Sequence, residues 1–507
     1  MLFNSFAFIF LFLPITWLGW RLSLRYWGIR PALAGLVLAS LVFYSIWDIR
    51  YLAVLLGSIS ANFYLGGKIL QARQQHNAKA ASRWLSTGVG FNLAVLIGFK
   101  YSYFLASNIY SLFDQTAPFS PLVLPLAISF VTFQKIAYLV DCRRAQVTQH
   151  NLLDYLFFVS FFPQLIAGPI VHHKPLIAQT RADTQPLWQS ETACWTGIAL
   201  FSTGLFKKVV LADSLAQYAT PVFYAAQSAI PSASQAWQGM LAYTLQLYFD
   251  FSGYSDMAIG LALLFGFKLP VNFDSPYQAR SVIDFWRRWH ISLSSFLRDY
   301  LYIPLGGNRH GLFMRYRNVW LTMVIAGIWH GAGWTFLLWG VLHGSLVLCN
   351  HAWRDLAKFY PVLNKISLAI PGFIHTGWTF LIVALAWVLF RANDFTSAAH
   401  IYQGLWQGLS QISNIGNDLN FKLDWPNLPE HFLAARAPAV WLWLALGLGI
   451  VWFSPTTWRQ LNYDANPRQT LAKPLSISML ILAALAFWFA LKWMATQPAT
   501  EFLYFNF

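Results

Sequence analysis

The sequence predicts an all-α, polytopic integral membrane protein with about ten to twelve transmembrane helices plus re-entrant segments. Of its 507 residues 57% are hydrophobic and only 10% are charged, and the mean hydropathy is +0.47. A soluble globular domain carries about 25% charged residues, so a chain of this composition needs lipid as its solvent. The composition therefore disfavours intrinsic disorder, a secreted disulfide scaffold and nucleic-acid binding.

Apolar stretches long enough to cross a bilayer, about 20 residues each, recur along the chain. The first has no basic residue before Arg21 and no cleavage pattern, so we expect a retained span rather than a signal peptide. No soluble domain and no internal repeat is visible, which predicts one helical domain over residues 1–507. The stretches lie near residues 2–20, 31–48, 50–70, 86–106, 119–140, 193–212, 236–266, 318–350, 372–391, 438–454 and 476–496.

Basic residues set the predicted orientation, because Lys and Arg collect in cytoplasmic loops. They follow the first, third and fifth stretches, whereas residues 101–118 and 213–235 contain none. We therefore expect an extracytoplasmic N-terminus, cytoplasmic segments at 268–317 and 351–370, and an outer loop at 392–437. The same loops account for the net charge of +15.

Two interrupted stretches are expected to enter the membrane and return. Residues 151–170 carry helix breakers, namely Pro163, Gly168 and Pro169. Residues 318–350 lie between two segments that are expected to be cytoplasmic, and glycines at 327, 331, 333, 340 and 344 are expected to supply the breaks. Irregular backbone at membrane depth is tolerated where it is buried in protein or lines a wet cavity. The sequence therefore places a cavity near residue 330.

His330 lies inside this interrupted stretch, between Trp329 and Gly331. Ionisable groups at membrane depth are costly and are kept where they have a task or a partner. The alternative is a histidine satisfied by a backbone carbonyl freed at the glycine, but the cavity favours chemistry, since imidazole is the usual general base near neutral pH. His343 is expected to be a packing or hydrogen-bonding residue.

The segment 284–309 alternates arginines with aromatic side chains, which is typical of a helix at the membrane interface. An anchor helix with a solvated basic face would explain Arg287 and Arg288, but it does not explain His290. The loop that follows, LGGNR, is predicted to bring backbone N–H groups toward an anion.

Two carboxylates, Asp250 and Asp256, fall within the stretch 236–266. A spacing of six residues does not stack them on one helix face, so we expect ion pairs, with Lys207 and Lys208 as candidate partners, rather than a catalytic dyad. No Walker, HExxH, CxxC or GxSxG motif is present, and the three cysteines and the histidines have no metal-ligand spacing.

With these residues in view, the chain resembles the membrane-bound O-acyltransferase family. It is similar in particular to the branch of alginate O-acetylation and peptidoglycan O-acetyltransferase-like proteins. The resemblance spans most of the chain and is carried by LPLAISFVTFQ (124–134), FFPQLIAGPI (161–170), YFDFSGYSDMAIG (248–260), DFWRRWHISLSSFLRDYLYIPLGGN (284–308) and WHGAGWTFLLWGVLHG (329–344).

The resemblance implies a ring of helices around a thinned, funnelled catalytic core, with residues 118–350 carrying the motifs. It implies transfer of an acyl group from a cytoplasmic thioester, acetyl-CoA or an acyl carrier protein, to an extracytoplasmic polysaccharide. A periplasmic acetyltransferase partner and a place in a bacterial inner membrane, in contact with membrane lipids, are also implied. No bound cofactor and no metal is expected.

The resemblance also implies roles for individual residues. His330 falls on the catalytic histidine of the WHG motif and is the expected general base toward the acceptor hydroxyl. His290 falls on the second family histidine and is expected to orient the thioester or carry a second proton. Arg287 and Arg288 are expected to meet donor phosphates through charge-assisted bonds. Trp329 and Asn308 are further expected donor-binding residues.

Three functions remain open at this point. The first is acetylation of an alginate-like exopolysaccharide. The second, which shares the same motifs, is peptidoglycan O-acetylation or teichoic-acid D-alanylation. The third is a transporter or flippase whose histidines relay protons, because transporters also have helices broken at mid-membrane.

Overall fold

The computed structural model describes residues 1–181, 187–412, 437–466, 474–497 and 500–503, and in these residues the chain is helical without β-strands. The predicted all-α fold is confirmed. The helices up to residue 225 are α1 (Phe8–Trp27), α2 (Ile29–Ser45), α3 (Ile49–Gln74), α4 (Ala78–Ser111), α5 (Ile128–Arg143), α6 (Leu152–Ser160), α7 (Phe162–Leu165), α8 (His173–Ala178), α9 (Glu191–Phe206) and α10 (Asp213–Ala225). The later helices are α11 (Ala233–Leu264), α12 (Val282–Arg288), α13 (Ile291–Leu297), α14 (Gly311–His330), α15 (Trp334–Phe359), α16 (Pro361–Ala369), α17 (Gly372–Arg391), α18 (Phe395–Ile412), α19 (Ala437–Phe453), α20 (Thr457–Gln460) and α21 (Ile477–Thr496).

Within the described residues, five helices are long and apolar enough to cross a membrane, namely α1, α3, α4, α17 and α21. Helices α2 and α19 are apolar but shorter. The predicted stretches coincide closely with these helices: the stretch 372–391 is α17, and the stretch 476–496 contains α21, which begins one residue later at Ile477. The count of ten to twelve transmembrane helices stays a prediction.

Side-chain caps begin several of the helices. A cap residue accepts a hydrogen bond from a backbone N–H of the first turn, which has no partner within the helix. Substituting such a cap by Ala typically costs about 1 kcal/mol. Capping side chains of this kind stand before α3, α4, α6, α12 and α21, and they are Asp48, Asn77, Asn151, Ser281 and Ser476.

The segment 151–170 is interrupted as predicted. Helix α6 ends at Ser160, and α7 covers only Phe162–Leu165, with Pro163 in its first turn, where the missing N–H costs nothing. Residues 166–172 are not helical. The backbone here therefore has the irregular course that the proline and glycine pattern indicated.

Two predicted segments differ from the structure. The stretch 119–140 becomes helical only at Ile128, because Pro121 and Pro125 lack an N–H and disfavour the helical conformation of the residue before them. The outer loop 392–437 begins with a helix, α18, which is preceded by Asp394, whose carboxylate accepts from the Ser397 N–H. Residues 413–436 of that loop lie outside the described residues.

Contacts between residues divide the chain into two compact units, each assembled from separate stretches. Unit 1 comprises Met1–Phe206, Gly253–Asn272 and Thr457–Asn506, and unit 2 comprises Lys207–Ser252 and Phe273–Thr456. The long helix α11 contributes residues to both. All six predicted site residues belong to unit 2. The prediction of one domain over residues 1–507, with a core at 118–350, is not tested by this division.

Candidate active site

A helical hairpin carries His330. Helix α14 ends at His330, and α15 starts only four residues later, after the short link 331–333. A Cβ atom at Gly331 would lie 2.2 Å from the ring of Phe336, so only glycine leaves room for that ring. The predicted break is confirmed at residues 331–333, and it places the imidazole at the tip of the hairpin.

The other glycines of this stretch do not break a helix, so that expectation was wrong for them. Gly327 lies inside α14 and Gly340 inside α15, and they face each other across the hairpin. A Cβ at Gly327 would lie 2.5 Å from the carbonyl oxygen of Phe336 and 2.8 Å from the Cα of Gly340. Gly344 is likewise inside α15. These glycines let the two helices approach closely, which periodicity alone did not distinguish from a break.

The ring of His330 is surrounded by aromatic side chains and is only 4% exposed. Its centroid lies 4.9 Å from Trp329, 5.2 Å from Trp339 and 5.1 Å from Phe390, all in edge-to-face arrangements. Such packing restricts the ring to a few orientations. Trp329 is the neighbour of His330 in the sequence, and its role toward the donor stays a prediction.

His343 contacts the indoles of Trp286 and Trp339. The N–H of Trp286 donates to Nδ1 of His343 at 3.3 Å, so the imidazole proton of a neutral His343 sits on Nε2. The ring of His343 is 4.7 Å from that of Trp339. These contacts agree with the packing and hydrogen-bonding role expected for His343.

His290 lies at the junction of α12 and α13 in the left-handed backbone region, with φ +44°. Residues other than glycine rarely adopt this conformation, although histidine is enriched there, and such positions cluster at functional sites. The side chain is 1% exposed and meets Phe251 edge to face at 4.7 Å. At this sharp junction the His290 ring is buried.

His290 and His330 border one continuous aromatic cluster. The cluster consists, in order, of Phe251, Phe273, Trp289, Trp387 and Trp339. Phe251 contacts His290 and Trp339 contacts His330. The centroids of successive rings are 5.0, 5.1, 5.0 and 5.6 Å apart. Trp387 and Phe390 are not predictable from the sequence, because they lie in α17, a helix so uniformly apolar that no pattern distinguishes its inner face.

The neighbouring arginines of α12 have different environments. Arg288 donates from Nε to Asp284 at 2.9 Å and from Nη1 to the carbonyl of Asp274 at 3.3 Å, so it holds α12 to the segment before it. Arg287 is exposed and lines a cavity. Arg287 lines that cavity and Arg288 does not, and the donor-binding roles of both residues stay predictions.

The LGGNR loop closes on itself. The N–H groups of Gly306, Gly307 and Arg309 donate to carbonyls within residues 302–306, and the side chain of Asn318 donates to the Gly307 carbonyl. Those three N–H groups are not available to an anion, which corrects the expectation for this loop. Asn308 itself is exposed, and its role toward the donor stays a prediction.

Lys208, in the stretch 193–212, and Asp250, in the stretch 236–266, form an ion pair of the expected kind. Nζ of Lys208 lies 2.8 Å from Asp250 and 2.8 Å from Asp213, and the side chains of Lys208 and Asp250 are 4% and 1% exposed. Within the part of the chain that the structure describes, no group of His, Cys, Asp and Glu could hold a metal ion.

Residues 108–392 match the sequence model of MBOAT, the membrane-bound O-acyltransferase family. The chain is 43% identical over 440 residues to a peptidoglycan O-acetyltransferase of Helicobacter pylori. The aligned region covers 82% of this chain and 81% of that protein. It is 42% identical over 421 residues to the "Probable alginate O-acetylase" of Pseudomonas aeruginosa, covering 82% and 77%. A teichoic acid D-alanyltransferase of Bacillus subtilis is 26% identical over 317 residues, covering 57% and 75%.

Proposed function

The chain belongs to the membrane-bound O-acyltransferase family, and from this premise we propose that it moves an acetyl group from a cytoplasmic thioester across the membrane to an extracytoplasmic polysaccharide. That it is a membrane O-acyltransferase follows from the family match and the relatives. The proposal rests above all on one observation. A single histidine, His330, lies buried at the tip of the α14–α15 hairpin, inside the matched region and walled by aromatic rings.

In the proposed reaction His330 acts as general base. Its imidazole takes the proton of an acceptor hydroxyl while that oxygen attacks the thioester carbonyl. The new C–O bond forms, the C–S bond breaks, and the imidazolium returns the proton to the leaving thiolate, so the products are an ester and a free thiol. General-base catalysis contributes typically about 10²–10⁴-fold in rate. His290 is proposed to orient the thioester or to carry a second proton.

The aromatic walls support this chemistry by restricting the base and limiting water. Water at the thioester would hydrolyse it, so a site that admits the acceptor hydroxyl and little else conserves the acyl group. Trp329 is proposed to line the donor's path next to His330, from which its ring is 4.9 Å away.

For the acceptor we propose an alginate-like exopolysaccharide in the periplasm of a bacterium, with the chain in the inner membrane and its N-terminus outside the cytoplasm. Peptidoglycan is the second candidate, because the chain is about equally similar to both kinds of relative. It is 43% identical to a peptidoglycan O-acetyltransferase and 42% identical to an alginate O-acetylase relative. D-alanylation of teichoic acid has weaker support, at 26% identity. A periplasmic acetyltransferase that completes transfer to the polymer is the proposed partner.

The test is acyl transfer by the purified full chain in proteoliposomes. Labelled acetyl-CoA is supplied on one side, and alginate-like oligosaccharides, peptidoglycan fragments or lipoteichoic acid on the other. With the proposed periplasmic acetyltransferase present on the acceptor side, wild type should transfer label to one acceptor class, and His330→Ala should insert normally but transfer none. His310→Ala, which removes an exposed histidine, is the matched control and should behave as wild type.

Two results contradict the proposal. If His330→Ala transfers label at the wild-type rate, the general base lies elsewhere. If the wild type carries out uptake or flipping with no acyl transfer to any acceptor or to the partner protein, the transporter hypothesis replaces the transferase.

A further inference from the structure

A cluster of three buried N–H groups lies next to His330, and none of the three has a hydrogen-bond acceptor among the described residues. This N–H cluster consists of Nε1 of Trp339, Nε1 of Trp387 and Nε2 of His343. Nε2 of His343 carries the imidazole proton because its Nδ1 accepts from the indole of Trp286. Each of the three residues is at most 1% exposed. A buried N–H without an acceptor costs stability, so such groups are few in native proteins and usually have a structural or functional reason.

The three rings of the N–H cluster pack against one another. The ring centroid of Trp339 lies 4.7 Å from that of His343 and 5.6 Å from that of Trp387, and the last two centroids are 6.2 Å apart. Trp339 and His343 are four residues apart on α15 and therefore share a helix face, whereas Trp387 comes from α17. Two helices thus bring three unpartnered N–H groups to one place, which distinguishes the cluster from a single buried indole such as Trp20.

The N–H cluster offers protons and accepts none. An indole N–H only donates, and so does the Nε2–H of a neutral imidazole. A water molecule or a hydroxyl would accept from these groups but would bring O–H protons of its own, for which the three N–H groups are no acceptors. A carbonyl oxygen only accepts, and an oxyanion forms stronger hydrogen bonds because it is charged. The chemistry of the cluster therefore fits the oxygen of an acyl carbonyl.

The distance between the N–H cluster and the proposed base suits a carbonyl under attack. The ring of Trp339 is 5.2 Å from that of His330. A hydroxyl that is hydrogen-bonded to a general base lies about 3 Å from its nitrogen, and a carbonyl carbon poised for attack lies about 3 Å from that hydroxyl oxygen. The carbonyl is then up to about 6 Å from the base, close to the separation of the two rings. A thioester that His330 helps to cleave therefore has its carbonyl near the cluster.

We propose that the N–H cluster binds the carbonyl oxygen of the acyl thioester and stabilises the oxyanion that forms on it. The proposal rests on the function proposed above. As the acceptor oxygen attacks, its proton passes to His330, the C–O bond forms, and the π electrons of the carbonyl move to its oxygen, where the N–H groups hold the charge. The carbonyl then re-forms, the C–S bond breaks, and the thiolate takes the proton from the imidazolium. Preorganised N–H groups act strongly here because the aromatic surroundings exclude water.

The experiment observes the carbonyl itself. Acetyl-CoA with ¹³C at its carbonyl is bound in nanodiscs to the full chain carrying His330→Ala, so that no acyl transfer follows. The C=O stretch of the bound molecule is recorded by infrared difference spectroscopy. A hydrogen bond to the oxygen polarises the C=O bond and lowers its stretching frequency. Adding Trp387→Phe, which keeps an aromatic ring and removes the N–H, should therefore move the bound band to higher frequency, whereas the loss of packing alone would not.

His343 allows the N–H to be tested apart from the ring. His343→Leu, added to His330→Ala, removes the Nε2–H and should raise the frequency of the bound band, as Trp387→Phe does. His343→Gln has an amide NH₂ that can replace the Nε2–H, and it should keep the band near its frequency in the His330→Ala chain. Thermal unfolding of each variant measures the amount of folded protein. The His343 pair decides the outcome if Trp387→Phe does not fold.

Kinetics with His330 intact supply a second measurement. Removing one oxyanion donor typically costs about 10²–10³-fold in kcat, and because three N–H groups share the oxygen, Trp387→Phe and His343→Leu should each lower kcat by about tenfold or more. KM for acetyl-CoA should stay within about threefold, since the charge develops only in the transition state. His343→Gln should recover most of the loss.

Trp20→Phe is the matched control. It removes an indole of α1 that is 3% exposed and whose N–H likewise has no acceptor among the described residues. The ring of Trp20 contacts Trp188 and Phe267 rather than the N–H cluster. Both kcat and the frequency of the bound carbonyl should be the same with and without this substitution.

The outcomes separate this proposal from the proposed function. A bound band whose frequency is the same with and without Trp387→Phe and His343→Leu overturns the N–H cluster as the oxyanion site, while acetyl transfer by the wild type would still support the proposed function. Wild-type kcat in both variants overturns the cluster as well. If acetyl-CoA gives no bound band and the wild type transfers no acetyl group, the proposed function is wrong and this proposal with it.

Discussion

The indole of Trp339 meets the imidazole of His330 edge to face, with the ring centroids 5.2 Å apart. The same indole lies 4.7 Å from the ring of His343 and is stacked on Trp387 at 5.6 Å. Trp339 is fully buried. Trp339, on the second helix of the hairpin, is therefore one of the side chains that position the proposed base.

Replacing Trp339 by Phe should lower kcat for acyl transfer about tenfold while KM for the donor changes little. The smaller ring leaves His330 looser and opens space beside it, with a stability cost of the order of 1–3 kcal/mol, less than the roughly 3–5 kcal/mol of a Trp→Ala change. Steady-state kinetics and thermal unfolding measure the two effects. Trp441→Phe, at a tryptophan that is 49% exposed, is the control. Wild-type kcat in Trp339→Phe would show that this contact does not position the base.

His290 allows its backbone and its imidazole to be tested apart. Its φ of +44° costs most residues about 1–2 kcal/mol, but glycine and asparagine adopt it readily. His290→Asn should therefore keep the thermal midpoint near wild type and lose at least tenfold in kcat/KM, whereas His290→Ala should lose both. Thermal unfolding and acetyl transfer are measured on the same samples. If His290→Asn is fully active, the ring takes no part in transfer.

Lys208 is held between two carboxylates, Asp213 and Asp250, and its side chain is 4% exposed. Lys208→Met leaves buried negative charge without a partner, and breaking a buried pair in this way costs about 3–5 kcal/mol. Expression and the thermal midpoint should fall sharply, and Asp250→Asn in the same chain should recover part of the loss. Lys207→Met, which removes an ammonium lying over the Tyr248 ring at 5.6 Å, is the comparison and should cost less than Lys208→Met.

Gly327 should not tolerate even a methyl group. A Cβ there would lie 2.5 Å from the Phe336 carbonyl oxygen, so Gly327→Ala must separate the helices that carry His330, although Ala is favoured in a helix by about 1 kcal/mol. Acyl transfer and the thermal midpoint should both drop. Gly377→Ala in α17, where nothing lies within 4 Å of the added Cβ, should be neutral or stabilising. Equal midpoints for the two variants would argue against close packing at Gly327.

The start of α18 should respond to acid. The backbone and side-chain hydrogen bonds from Ser397 lower the pKa of Asp394 below its usual 3.8. A carboxyl whose pKa is lower in the folded state stabilises that state at pH above the unfolded pKa, and this stabilisation is lost as pH falls through the folded value. Protection of the backbone amides of residues 395–407 against hydrogen exchange, relative to the intrinsic rate at each pH, should therefore fall below about pH 4 in wild type. Asp394→Asn, which caps without titrating, should show no such change.

Much of the fold was predictable because the bilayer imposes a strict rule. A spanning segment must satisfy its backbone hydrogen bonds within itself, so long apolar stretches become helices wherever proline permits. The predicted stretch 372–391 and the helix Gly372–Arg391 have the same bounds. The delayed start of α5 at Ile128 and the helix at Phe395 depend on local proline and capping chemistry, which hydropathy does not detect.

The sequence by itself determined that the protein is an all-helical membrane protein and that His330 interrupts an apolar stretch, because composition and breaks are local properties. Only the tertiary structure decided which partner each polar group has. Arg287 and Arg288 are adjacent, but side chains of successive helical residues point about 100° apart. Arg288 therefore binds Asp284, whereas Arg287 lines a cavity together with residues of α15, more than sixty positions away in the chain. Contacts between distant segments have no period in the sequence, and the cavity and the aromatic cluster are made of such contacts.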